Sequence, residues 1–364
     1  MSKIRVGMIG LGGVGTWGHL GGYLEIPSLA KIVAFCDKDE TILNDRVGQY
    51  GGKAYLDYCD LLRDPEVDMV DICLPHHLHT SVAIDALNAG KNVLLEKPIA
   101  TTLDGADKII AAAKSQKVKF MIAENTRFVN AYEIAKQLVD EGFVGDVTLA
   151  RTIAAGNETA RLADSSQWIG KASLAGGGIL LDAGVHSFYL FYWLLGKVKH
   201  VSAITSRYMS NLPSDVEDNV SGTLRFENGA IGNFSLSYTT DSPFTERLEL
   251  YGTSGSLIVD MLSAHPVQLF STKSSNANKM EPWKLVEDNF IGERTYGRAV
   301  WDEPFFEHSA LSWKSASMRR EVQHFVRCLI ENQTPLVSGE DGRYAVELAL
   351  KAYESARQRK EMDM

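Results

Sequence analysis

Asp182 and His186 stand four residues apart in the segment GGGILLDAGVHSFYLFYWLLG, residues 176–196. A helix beginning near 182 places both on one face, with the small residues Ala183 and Gly184 leaving room for a ligand. Imidazole titrates near neutral pH, so His186 suits a group that takes a proton from a hydroxyl. Asp182 would orient the substrate or stabilise a charged imidazole. The plainer alternative makes Asp182 a helix N-cap and His186 a satisfied histidine on an apolar helix. Lys97 is the second chemical position, in VLLEKP at 93–98. Pro98 restricts it to an extended or turn conformation, and a lysine at the carboxyl end of a parallel strand points into the crevice where ligands bind. Its ammonium can hydrogen-bond a substrate hydroxyl or carbonyl; an ordinary surface Glu-Lys turn is the alternative.

The third group is glycine-rich. Gly10-Leu11-Gly12-Gly13-Val14-Gly15 follows a short β-branched run and opens a helix, the context in which G-x-G-x-x-G binds a dinucleotide. Gly10 permits the tight turn, Gly12 lets the backbone approach a pyrophosphate, and Gly15 allows close helix–strand packing. Amides at the helix N-terminus, where Gly13 and Val14 lie, face the phosphate charge. Asp37 ends the next strand about 20 residues on, where an acid accepts hydrogen bonds from the adenosine ribose. It would also repel a 2′-phosphate, which favours NAD; the neighbouring Lys38 leaves NADP open. Residues 16–22 are rich in glycine, so the first helix is expected to be short or irregular.

The elements that must hold these groups follow from periodicity. Residues 3–9, 31–36, 69–74, 92–95 and 118–122 read as buried strands, with helical patterns at 57–63, 79–89 and 103–115. Strands alternating with helices imply βαβ units and a parallel sheet. The alternation stops near 123, giving a dinucleotide-binding domain at 1–123 and a second domain at 124–364. A helix at 129–141 is followed by strands at 146–154, 198–208, 219–227, 230–239, 246–252 and 255–260. Tight turns at Glu227-Asn228-Gly229 and Gly252-Thr253-Ser254-Gly255 point to a largely antiparallel sheet. Residues 272–315 read as a long irregular segment, and helices at 317–332 and 341–358 close the chain. The fold class is α/β: a doubly wound Rossmann sheet, then an α+β domain.

In this order the motifs resemble the glucose–fructose oxidoreductase / inositol dehydrogenase (Gfo/Idh/MocA) family. The resemblance runs through the glycine loop, then Leu74-Pro75-His76-His77-Leu78-His79 and Glu96-Lys97-Pro98. It continues through Glu124-Asn125-Thr126-Arg127-Phe128, the segment Gly176 to His186, and Ser338-Gly339-Glu340-Asp341-Gly342. It implies that Leu74, Pro75, His76, His79 and Glu96 lie at the cofactor, and that Lys97 touches both cofactor and substrate. Asp182 and His186 would face them from the second domain. Many members carry asparagine where this chain has His76; His79 matches. The resemblance also implies an open, mostly antiparallel second sheet that mediates homodimers or homotetramers. Arg127 is a candidate for cofactor or substrate, Trp168 for stacking on a sugar face, and Tyr238 for the substrate wall.

Composition limits the rest. The 364 residues suffice for about two domains, and 45% hydrophobic with 23% charged residues is a globular composition. A net charge of -9 argues against a nucleic-acid partner. Cys36, Cys59, Cys73 and Cys328 form no CxxC pair and no zinc pattern, so they read as reduced thiols in the cytoplasm, with no metal. The start, MSKIRVGMIG, reads as a strand and not a signal peptide; the apolar run 188–195 is too short to span a bilayer. The expected activity is NAD(P)-dependent oxidation of a secondary alcohol on a sugar, inositol or related polyol. Two rivals are an NAD-retaining glycosidase that works by redox elimination and a non-catalytic dinucleotide-sensing regulator.

Overall fold

The computed structural model describes residues 3–263, 266–273, 284–285 and 312–364. Most of the expected irregular segment, 274–283 and 286–311, lies outside them.

Six strands form the first sheet: β1 Ile4–Ile9, β2 Ala30–Cys36, β3 Lys53–Tyr55, β4 Met69–Ile72, β5 Asn92–Glu96 and β6 Phe120–Ala123. Their order is β3-β2-β1-β4-β5-β6, with every pairing parallel. The order reverses between β1 and β4, the switch point at which doubly wound sheets bind ligands. All four residues of β4, MVDI, are buried, as befits a strand covered on both faces. Asp71 is the exception in composition, and a buried carboxylate requires a partner.

Strand β3 and the helix Glu40–Tyr50 went unread in the sequence. Strand β3 has only three residues, none buried. The helix Glu40–Tyr50 buries only Leu43, so it shows little apolar stripe; its start is legible in Asp39, whose side chain accepts from the amides of Thr41 and Ile42. The helix after the glycine loop is irregular, as expected: a π-type turn over Val14–Leu20 runs into a short helix Gly21–Leu24.

The second sheet has nine strands. They are β7 Val147–Ala155, β8 Val198–Ser206, β9 Asn219–Phe226, β10 Ile231–Ser237, β11 Thr245–Gly252, β12 Gly255–Asp260, β13 Val267–Ser271, β14 Lys284–Leu285 and β15 Met362–Asp363. Their order is β14-β13-β12-β11-β7-β10-β9-β8-β15; only β7 and β10 pair in parallel. Residues alternate along β9 and β10: Val220, Leu224, Phe226, Phe234 and Leu236 are buried, while Ser221, Arg225 and Ser235 are exposed. The helix Gly184–Leu195 packs on the buried face, with Phe188 edge-on to Phe234 at 5.1 Å and Phe191 edge-on to Phe226 at 5.7 Å.

The chain divides into two compact units: Met1–Phe128 with Ser173–Gly176 and Lys314–Val346, and Val129–Ala172 with Gly177–Trp313 and Glu347–Met364. This differs from a single division at 123. The reason is the helix Ser312–Ile330, which packs on the glycine-rich stretch after the phosphate loop. A Cβ on Gly18 would lie 2.6 Å from the Met318 sulfur, and one on Gly22 would lie 3.0 Å from Val322. The glycines that looked like a poor helix are the seat of a helix from the other end of the sequence. Among the described residues no single helix is long and apolar enough to cross a membrane.

Candidate active site

In the first unit the glycine loop has the geometry that the motif requires. Gly10 has φ +91, and a Cβ there would meet the Cys73 carbonyl oxygen at 2.3 Å. A Cβ on Gly15 would meet the Gly10 carbonyl oxygen at 2.5 Å. Gly12 is different: among the described residues nothing lies within 4 Å of its Cβ position. Gly10 and Gly15 are therefore glycine for the protein's own packing, whereas Gly12 leaves open space. No side chain caps the turn that begins after Gly13, and its first turn, opened by Val14, holds no acid. Its amides are thus available to an anion. Asp37 accepts from the Leu11 amide at 2.8 Å and the Asp39 amide at 3.0 Å, so it fixes the loop as well as ending β2. Lys38 is exposed beside it. Open space over Gly12, uncapped amides and an oriented acid fit a dinucleotide.

The remaining first-unit candidates divide into two groups. Pro75 precedes the helix His76–Asn88, and Leu74 lies between it and β4. Lys97 is half-buried at the end of β5, joined to Pro98 by a cis peptide bond. Arg127 is half-buried in a short turn, Asn125–Phe128. These four positions are partly exposed among the described residues. His76, His79 and Glu96 are not. His79 is fully buried, its Nδ1 2.7 Å from the Pro98 carbonyl and its Nε2 2.8 Å from the Leu74 carbonyl. Both ring nitrogens are thus occupied by backbone. His76 is 4% exposed, with Nδ1 2.9 Å from the Ala175 carbonyl. Glu96 is 6% exposed and faces His19. His76, His79 and Glu96 are thus each tied in by hydrogen bonds within the protein, as buried polar groups must be.

In the second unit the helix does not run through 182. A short helix, Ile179–Asp182, ends at Ala183, and Gly184–Leu195 begins a second one, with a 44° bend across the break. The expectation of one helical face is corrected: Asp182 closes one helix, and His186 lies in the first turn of the next. Gly178 precedes the short helix, where a Cβ would meet the Glu217 carbonyl oxygen at 1.9 Å. Glu217 holds the start of the short helix, accepting from the amides of Gly178 at 2.8 Å and Leu180 at 3.0 Å and from the Tyr353 hydroxyl at 2.6 Å. Burial pushes the Glu217 carboxyl up, against the bonds that lower it.

Between Gly177 and Phe191, Asp182 and His186 are the only residues that are not buried. Asp182 does not cap the following helix, which has no side-chain cap. Its Oδ2 instead accepts from the Tyr238 hydroxyl at 2.5 Å. Tyr238 is 4% exposed and continues the buried parity of Phe234 and Leu236 beyond β10. Burial, with the Asp182 charge, raises the Tyr238 phenol well above its usual range, so it donates as a neutral hydroxyl. Arg161 lies near both: burial pulls its guanidinium down, and Asp182, Tyr238 and Glu158 together outweigh this and raise it. Sequence reasoning missed Arg161. Trp168 is half-buried in a turn ahead of this segment.

Two family models match the chain. Residues 4–124 match the oxidoreductase family with an NAD-binding Rossmann fold, and residues 132–258 match the GFO/IDH/MocA C-terminal domain. An uncharacterized protein of Saccharomyces cerevisiae is 30% identical over 348 residues, covering 90% of this chain and 95% of its own. The myo-inositol 2-dehydrogenase of Thermotoga maritima is 26% identical, covering 99% and 98%. A solved levoglucosan dehydrogenase in complex with NADH is 25% identical with a TM-score of 0.89, covering 100% of this chain and 99% of that one. The glycine loop, the two sheets and these matches together place the chain in the GFO/IDH/MocA family of oxidoreductases, its first unit being that family's NAD-binding Rossmann fold.

Proposed function

We propose that the protein is an NAD-dependent dehydrogenase or reductase acting on a secondary alcohol of a sugar, inositol or related polyol. The observation that carries this reading is the pair Asp182 and His186, the only residues not buried in an otherwise buried segment, with Asp182 oriented by Tyr238. Relatives named as myo-inositol 2-dehydrogenase and levoglucosan dehydrogenase support the substrate class. Bound at the glycine loop, the nicotinamide coenzyme supplies the two-electron acceptor and donor. Asp37 selects NAD by receiving the ribose hydroxyls and disfavouring a 2′-phosphate.

The protein's own groups do the rest. Lys97 donates to the reacting oxygen and stabilises the negative charge that develops on it, an electrostatic task that a metal performs elsewhere. His186 takes the hydroxyl proton in oxidation and returns it in reduction. Asp182, its second oxygen held by Tyr238, positions a neighbouring substrate hydroxyl. Coenzyme reduction measured across a panel of sugars and inositols tests the reading. Turnover should appear with a polyol and be lost in Lys97→Met and His186→Ala; unchanged turnover in both variants refutes these roles.

A further inference from the structure

Asp71 sits on β4, buried like every other residue of that strand. Its carboxylate accepts from the Tyr23 hydroxyl at 2.8 Å and from His19 Nδ1 at 2.9 Å. The other ring nitrogen of His19, Nε2, lies 3.0 Å from Glu96 Oε1. Both neighbours of the imidazole are carboxylates, so both nitrogens donate and the ring carries a positive charge. Burial alone would push His19 down; Asp71, through its charge and its hydrogen bond, and Cys73 together outweigh it and raise the ring well above its usual value. Glu321, from the helix Ser312–Ile330, brings a third carboxyl 3.5 Å from His19 Nε2, and both its oxygens are buried without a hydrogen-bond partner among the described residues. Burial pushes Glu321 up to about 8, so it stands neutral beside the charged ring at neutral pH. The same side chains are spaced for metal ligation. An imidazole donating from both nitrogens has no lone pair for a metal, however, so the ring takes the cation's place.

Glu96 has a second bond. Its Oε2 accepts the backbone N–H of Lys97 at 3.0 Å. The carboxylate therefore spans from the turn after the phosphate loop to the backbone of the lysine at the end of β5. On the far side of the same lysine, the Pro98 carbonyl is held by His79 at 2.7 Å. We propose that the His19–Glu96 pair is a positioning device for the proposed reaction, setting the backbone of Lys97 so that its ammonium meets the substrate oxygen. This rests on the role assigned above to Lys97. Glu96 and His19, both buried, act through the lysine. Asp71 fixes the far end of the ring, and hydrogen bonds at both ring nitrogens hold the pair in one geometry.

The test compares Glu96→Ala with Glu96→Gln in the holoenzyme. Active sites are counted by NADH fluorescence titration, and kcat is expressed per NADH-binding site. Glu96→Ala removes the acceptor for the Lys97 amide; a displacement of about 1 Å at a catalytic group costs on the order of a hundredfold in rate. The expected result is a fall of about that size in kcat, with the NADH dissociation constant within about threefold of the parent. Glu96→Gln keeps an oxygen in reach of the amide and should recover kcat to within about tenfold of the parent. A role in the fold alone would lower Tm in both variants and leave kcat per site unchanged, which overturns the proposal. Should Glu96→Ala give no NADH-binding protein, Glu96→Asp replaces it: the charge stays, the reach shortens, and the same loss of kcat is expected. If neither variant binds NADH, the pair serves the fold and the proposal is overturned. Lys97→Met, run in parallel, separates the two ideas. Full turnover in that variant sinks the reading of the reaction itself, whatever Glu96 shows.

Discussion

Tyr238→Phe isolates one contact. Tyr238 is 4% exposed, so phenylalanine keeps the ring, its packing and its apolar burial. What disappears is the hydroxyl that donates to Asp182 at 2.5 Å. A hydrogen bond to a charged group contributes about 1.5–3 kcal/mol when one partner is deleted. Asp182 is half-exposed and keeps the charge of Arg161 nearby, so the lower end applies, about 1.5 kcal/mol. In a unit of about 150–250 residues that corresponds to a fall in Tm of roughly 3–6 °C. Urea unfolding should show the midpoint move at constant slope. The functional expectation is sharper. A loosened Asp182 should raise KM for the polyol about tenfold, the equivalent of about 1.4 kcal/mol, while NADH affinity stays the same. If stability falls by this amount and KM does not move, Asp182 is structural and the substrate assignment fails. If neither moves, the hydrogen bond itself contributes nothing.

Further outcomes follow from the first unit. Gly12→Ala should leave stability within about 0.5 kcal/mol of the parent, because its Cβ meets nothing, yet weaken NADH binding measured by fluorescence titration. Gly10→Ala should lose both, since φ +91 and the Cys73 carbonyl oppose any side chain; strain of this kind costs on the order of 1–3 kcal/mol. Asp37→Asn removes the charge that repels a 2′-phosphate, so the ratio of kcat/KM for NADP to that for NAD should rise. Asparagine has one acceptor oxygen for the two amides, Leu11 and Asp39, that Asp37 holds, so NADH binding should also weaken, seen in the same titrations. Glu321 sets a pH dependence. Its folded value of about 8 lies above the ordinary 4.5, so the native state holds the extra proton. The stability it contributes is full below about 4.5 and is lost as pH rises to about 8. Glu321→Gln should flatten the urea-midpoint profile across that interval; an unchanged slope refutes the neutral carboxyl.

The local rules were enough for much of this molecule. Period-two apolar runs and the glycine spacing marked β1, β2 and β4 to β6 and the loop between β1 and the first turn. These features depend on residues close in the chain, and a tight turn at Gly10 leaves a local signature. The parity of Gly232, Phe234, Leu236 and Tyr238 was also written in the sequence, and it carried the phenol inward. Only the tertiary structure decided where that hydroxyl went. It also decided that the segment from 179 to 195 breaks at Ala183, a bend that an unbroken apolar run does not announce. His19, Asp71, Glu96 and Glu321 looked like four unrelated polar residues. Their meaning comes from burial on one strand end, where removal from water forces each charge to find another, and partners up to 302 positions apart in the chain are the ones within reach.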